Sequence, residues 1–208
     1  MSPVTRQLAL RALHIAWMAV ALGLIAEGVL LVLNLGIGRE PTAVSVAVSV
    51  LSRVAWSVIV CGGLAVATAI PRAAVPVTGL VGLLLAPAVT AVTRAMQHLL
   101  LEALAGVAVA FPLGLVVGLS TIRGLEYGTL GVLVALMERR RSGFLSSLAA
   151  GAGVGALFGA AAVGLSAAVV GPPAIDLAVG FVNELLVPTG CAVALYGAAR
   201  LSKLLEGE

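Results

Sequence analysis

Charge is what this sequence has least of. Only 12 of its 208 residues are lysine or arginine and nine are aspartate or glutamate, 10% in all, where soluble domains carry about 25%. With so few charges, the formal net charge of +3 and the pI near 9.4 do not amount to a nucleic-acid footprint, and a nucleic-acid partner is excluded. Lysine and aspartate each occur once. Lys203, the one lysine, lies beyond the last apolar run, so no membrane-embedded amine exists to form a Schiff base. Two cysteines, Cys61 and Cys191, both inside apolar runs, make neither a secreted disulfide scaffold nor a four-ligand zinc site. The two histidines, His14 and His98, fall at opposite ends of their segments and could not ligate one haem together. There is no HExxH motif, and Ser120 in Gly118–Thr121 lacks the second glycine of a nucleophile elbow. No phosphate-cradling glycine loop follows a strand. The expectation is a chain with no cofactor, no metal and no catalytic residue.

What is present is apolar surface. Hydrophobic residues make up 61% of the chain and mean hydropathy is +1.18, more than a soluble core of this size could bury and what a bilayer solvates directly. Aromatics fall to 4% while glycine reaches 25 residues, a balance that lets helices approach closely in lipid. Arg6 and Arg11 precede the first apolar run as in a signal peptide. That run continues from about 15 to 33, too long for a typical h-region, and reads as a retained helix.

A spanning helix needs about 20 mostly apolar residues. Six segments qualify, at about 12–34, 44–70, 75–93, 98–122, 144–170 and 174–199. The strand-like alternation at 44–49 yields to helix, because an open strand in lipid leaves its backbone unpaired. A turn is expected near 93–97, with Pro112 inside the fourth span. Residues 124–141 contain an apolar run too short to cross and read as an interfacial helix. The fold expected is an all-α, polytopic membrane bundle of about six transmembrane helices forming one domain, 1–208. A three-plus-three split would suit an inverted repeat, and Gly23–Glu27 has a weak likeness to Gly180–Glu184.

Charge sets the orientation. With the N-terminus inside, Arg6, Arg11, Arg72, Arg123, Arg139, Arg140, Arg141, Arg200 and Lys203 all fall inside, and only Arg39 and Arg94 outside. This obeys the positive-inside rule and places both termini on the cytoplasmic side of a cell membrane.

Charges inside a bilayer cost about 2.5–3.5 kcal/mol each on insertion scales and therefore face partners or water. Glu27, Arg53 and Glu184, with Asn183 beside the last, fall at similar depth in the outer half; Glu102 and Asp176 are shallower. One reading is a hydrated path that admits a cation or proton, lined by Glu27, Arg53, Asn183 and Glu184, with His98 and Glu102 at its mouth. The other is structural, an ion pair Glu27–Arg53 fixing two helices, with Glu184 capped by a hydroxyl. Ser45, Ser49, Ser52, Arg53 and Trp56 share a helix face, and Arg94, His98 and Glu102 share another. Gly151, Gly155 and Gly159 recur at four-residue spacing, a glycine-zipper pattern for helix packing or a homo-oligomer interface. Cys61 and Cys191 sit at matching depth and pack as small hydrophobes.

The function expected is a small transporter or channel for a cation, proton or small solute. The alternative is a non-catalytic subunit or scaffold that docks other membrane subunits. A lipid-directed enzyme is a distant third. The lipid bilayer is the one partner common to all three.

Overall fold

Long apolar runs leave the backbone one way to satisfy itself without water, which is to hydrogen-bond within each segment. The computed structural model describes residues 3–68, 74–106 and 112–206, and among them every regular element is an α-helix. The order is α1 (Pro3–Gly36), α2 (Ala43–Thr68), α3 (Ala74–Ala105), α4 (Leu113–Arg139), α5 (Phe144–Val169) and α6 (Ala174–Glu206). Five contain stretches long and apolar enough to cross a membrane: Leu13–Gly36, Ala43–Thr68, Val75–Leu104, Phe144–Val169 and Ala174–Leu201. The other, α4, is 27 residues long but carries Arg123 and Glu126 near its middle.

Helices adjacent in sequence pack against each other, and α1 closes the ring against α6; α2 and α4 also reach α6 across the centre. The turns at 37–42 and 170–173, the end of α3 and the start of α4 share one end of the bundle, called here the upper end. There Arg39 of the α1–α2 turn pairs with Asp176 in the first turn of α6. The bundle is apolar outside as well as inside. Trp17, Ile25, Val32, Leu84, Leu145 and Leu157 are exposed, while much of the buried interior is small, including Ala19, Ala65, Ala86, Ala162, Ala192 and Ala198. Helices hydrophobic all round suit lipid rather than water.

Small residues decide which helices touch. A Cβ added to Gly82 of α3 would stand 2.1 Å from the Tyr127 carbonyl oxygen of α4, and one added to Gly131 of α4 would stand 2.5 Å from the Thr78 carbonyl oxygen. Only glycine permits that approach. Gly151, Gly155 and Gly159 of α5 lie in the same way against α6 of the same chain, where added Cβ atoms would meet Thr189, Glu184 and Leu185 at 2.6–3.2 Å.

Two boundaries differ from those expected. The helix beginning near 75 does not turn at 93–97 but runs on to Ala105, ending where Gly106 takes a φ of +64°. The polar stretch from Arg94 to Glu102 is one face of a continuous helix, because its charged side chains alternate with Ala95, Met96, Leu99, Leu100 and Leu101. Pro112 likewise does not interrupt a span at 98–122. It precedes the first residue of α4, where its missing N–H costs nothing. The segment 124–141, expected at the interface, is mostly the second half of α4. Glu126, Tyr127, Leu130, Gly131, Val134 and Ala135 are buried in the bundle. Six helices are therefore described where six spans and a separate interfacial helix were expected, and five of the six are long and apolar enough to cross a membrane. Arg72 lies outside the described residues, and so do the side chains of Arg6, Arg11 and Lys203.

Candidate functional site

Counting along each helix from the upper end locates a polar layer. Glu27 on α1, Arg53 on α2, Arg94 on α3, Arg123 on α4 and Asn183 with Glu184 on α6 each lie about ten residues from that end, roughly 15 Å down at ~1.5 Å per residue. The remaining helix, α5, places Gly159 at this level, and a Cβ there would come within 2.7 Å of the Glu184 side chain. It contributes room where the others contribute charge.

Two ion-paired groups hold the layer together. On one side the Arg53 guanidinium donates through Nε to Glu27 Oε2 and through Nη1 to Asn183 Oδ1, while the Ser49 hydroxyl donates to Glu27 Oε2 at 2.8 Å. This ties α1, α2 and α6 together. On the other side Arg123 Nη1 donates to Glu126 Oε2 at 2.7 Å, one turn along α4. The same guanidinium meets Glu184 of α6 at two points, Nη2 to Oε1 at 2.6 Å and Nη1 to Oε2 at 2.5 Å. Of the two, Nη2 to Oε1 is a charge-assisted hydrogen bond, while the Nη1–Oε2 approach is an ion contact only, and Oε2 accepts no hydrogen bond among the described residues. Arg94 is close enough to Arg53, Arg123 and Glu184 to feel their charges. Arg53 and Arg123 are thus paired with three glutamates at or within a turn of this level, and pairing offsets the cost of removing them from water; Arg94, at the same level on α3, is exposed.

Beside the layer lies a cavity of about 220 Å³ walled by α1, α2, α3, α4 and α6. Its polar lining comprises Arg53, Arg94, Arg123, Gln97 and Asn183 together with the hydroxyls of Ser52, Ser57, Thr90 and Thr93. Trp56 forms part of the wall; its indole N–H points to Thr90 Oγ1 at 3.4 Å, and its ring packs edge-on against Tyr127 with centroids 4.7 Å apart. The Arg123 guanidinium carbon lies 6.0 Å from the Trp56 ring centroid, at the limit of a cation–π contact. None of the three layer carboxylates lines this cavity.

Deeper in the bundle, Tyr127 is fully buried, and its hydroxyl has no hydrogen-bond partner among the described residues; the same is true of Glu126 Oε1. Cys61 of α2 and Cys191 of α6 are also fully buried, their sulfurs 2.7 Å apart as free thiols.

Of the residues singled out from sequence, Glu27, Arg53, Asn183 and Glu184 are brought into this layer. His98 and Glu102 are not. They pair with each other, Nδ1 3.5 Å from Oε2, on an outward face above it. Arg94, expected in a ladder with those two, lines the cavity instead. Glu184 takes an arginine rather than a hydroxyl as its partner. Arg123, Glu126 and Tyr127 were missed, because Arg123 reads as a cytoplasmic charge if a span ends at 122. Two signals could have found them: the one-turn spacing of Arg123 and Glu126, and the Gly124, Gly128, Gly131 series that marks this stretch as a helix-packing face. Among the described residues no group of three potential ligands is gathered for a metal.

Fold and site together define a helical bundle with membrane-length apolar segments and a buried, paired charge layer beside a polar cavity. No family model, curated protein or solved structure matches the chain.

Proposed function

We propose that this chain is a small multi-pass membrane transporter or channel that moves a small solute through the cavity beside the charge layer. The observation carrying this reading is a polar cavity built at the level where polar groups are most expensive. A purely structural ion pair requires no adjoining space lined by amides and hydroxyls. In this reading all six helices cross the bilayer of the cell membrane. α4 can do so because Arg123 and Glu126 face protein rather than lipid. Arg139, Arg140, Arg141 and Arg200 lie at the lower end, which under the positive-inside rule is cytoplasmic, together with both termini. Moving Arg123 into the bundle and Arg94 into the cavity wall leaves that asymmetry standing. Each half of the chain supplies its own ion-paired group, Glu27–Arg53 from α1–α3 and Arg123 with Glu126 and Glu184 from α4–α6, which supports an inverted-repeat origin.

The test is solute uptake into proteoliposomes, read by osmotic swelling across a panel of small solutes. Uptake above empty liposomes that falls at least tenfold in Glu184→Gln, with that variant still monodisperse, supports the reading. A folded protein with no uptake of any solute rejects it. The second reading, a docking subunit of a larger membrane complex, is favoured by the exposed Arg139–Arg141 corner, where Arg141 adopts a φ of +52°. Stoichiometric foreign subunits after gentle extraction would support that reading.

A further inference from the structure

We infer that the cavity takes a small oxyanion, a carboxylate or phosphate group, rather than a cation. This rests on the solute-carrying reading above. Carboxylates counted along the sequence suggest a cation path, but the side chains that reach the cavity wall reverse the sign. Arg53, Arg94 and Arg123 line it, while Glu27, Glu126 and Glu184 do not. Every charged group on the cavity wall is a guanidinium group.

The polar chemistry around these arginines favours the same class. A guanidinium has five N–H donors and no acceptor. Arg53 commits Nε and Nη1 to Glu27 and Asn183, which does not exhaust it. Asn183 gives its carbonyl oxygen to Arg53, so its remaining polar group is an NH₂ donor. Gln97, half-buried in the wall, adds a second amide. Ser52, Thr90 and Thr93 already donate their hydroxyl protons to helix carbonyls at 2.8 Å and so offer the cavity only acceptors. The charged groups on the wall outweigh them, being donors in the planar forks that match carboxylate and phosphate oxygens.

Size narrows the class. About 220 Å³ falls below the roughly 300–1,000 Å³ of pockets for drug-sized ligands. It suits the anionic group with a few further atoms, which could stack on Trp56. The anionic group could belong to a free solute or to a lipid headgroup, and the two present the same oxygens to the arginines.

The experiment is thermal unfolding of the full-length protein in a neutral detergent, titrated at constant ionic strength. The probes are sodium phosphate, sodium acetate, choline chloride and, in a separate arm, mixed micelles of phosphatidylglycerol. A ligand of the folded state raises the midpoint saturably, by about 5 °C at a hundredfold excess over Kd. The expected result is such a rise with phosphate or acetate but not with choline. Gln97→Glu, which sets a carboxylate into the wall without changing size, should weaken the effect at least tenfold. Arg94→Gln should weaken it similarly and Arg94→Lys less. A rise with phosphatidylglycerol alone, equally sensitive to Gln97→Glu, keeps the oxyanion site and assigns it to a headgroup. Midpoints unmoved by every anion, or an anion effect untouched by Gln97→Glu, overturn the inference. Uptake of cations or neutral solutes without anion stabilisation overturns the anion alone and leaves the carrier. Saturable anion binding without uptake of any solute does the reverse.

Discussion

Arg123 and Glu184, 61 residues apart in the chain, meet at two points in the middle of the bundle, Nη1 to Oε2 at 2.5 Å and Nη2 to Oε1 at 2.6 Å. Glu126 holds the same guanidinium from its own helix at 2.7 Å, so the arginine joins α4 to α6 through Glu184 while Glu126 steadies it from within α4. Their side chains are 17%, 13% and 0% exposed, which places the contact among buried ion pairs rather than surface ones.

Breaking a buried pair from one side strands a charge, whereas removing both partners does not. Glu27→Met, which leaves Arg53 with no carboxylate partner, is therefore expected to lower unfolding stability by about 3 kcal/mol. The double variant Glu27→Met/Arg53→Met should lose less than either single variant. Denaturant titration of the four proteins in a double-mutant cycle measures this. Additive losses would show that the two groups do not act as a pair.

The exposed pair at the upper end should behave differently. Arg39 and Asp176 are 46% and 29% exposed, and pairs of that kind contribute about 0–1 kcal/mol. Arg39→Ala should shift the thermal midpoint by no more than a few degrees, and the shift should shrink as salt is raised.

The α3–α4 contact is set by the absence of a methyl group. Gly82→Ala places a carbon 2.1 Å from the Tyr127 carbonyl oxygen, and the two backbones must separate, at a cost of about 1–3 kcal/mol. Gly62→Ala is the control. No atom lies within 4 Å of its added Cβ, and alanine is the better helix former by about 1 kcal/mol. Opposite signs in paired melting curves are the expected outcome, and equal effects would contradict the packing described.

Cys61 and Cys191 are fully buried, and burial withholds thiols from reagents in water. Neither should react with a water-soluble maleimide in the folded protein, and both should react after denaturation in sodium dodecyl sulfate. Mass spectrometry counts the adducts. A labelled native protein would place at least one thiol on a water-filled path.

Much of this architecture was legible in the sequence. Where turns are marked by Gly and Pro, as at 34–41 and 171–173, counting residues gave true depths. This is why Glu27, Arg53, Asn183 and Glu184 could be assigned to one level. The strand-like alternation at 44–49 was read correctly as helix, since the lipid argument outweighs periodicity. The reading failed between 93 and 141. There a polar helix face at Arg94–Glu102 was mistaken for a turn, and Arg123 and Glu126 for the end of a span. Hydropathy assigns each charge a cost, but not the partner that offsets it. For Arg123 the second partner lies on a helix 61 residues away, and linear order does not show it. The side of the arginines on which the cavity opens is also a property of packing, with no signature along the chain.

The balance of the charge layer constrains how this protein can change over generations. A single replacement in Glu27–Arg53, or of Arg123 itself, leaves a carboxylate or guanidinium ionised without its partner in a medium that tolerates it poorly. Descendants that alter the layer should do so by compensated steps, losing or exchanging both members of a pair. Substitutions at these positions should therefore be correlated across helices far apart in the chain, while the apolar residues around them drift independently.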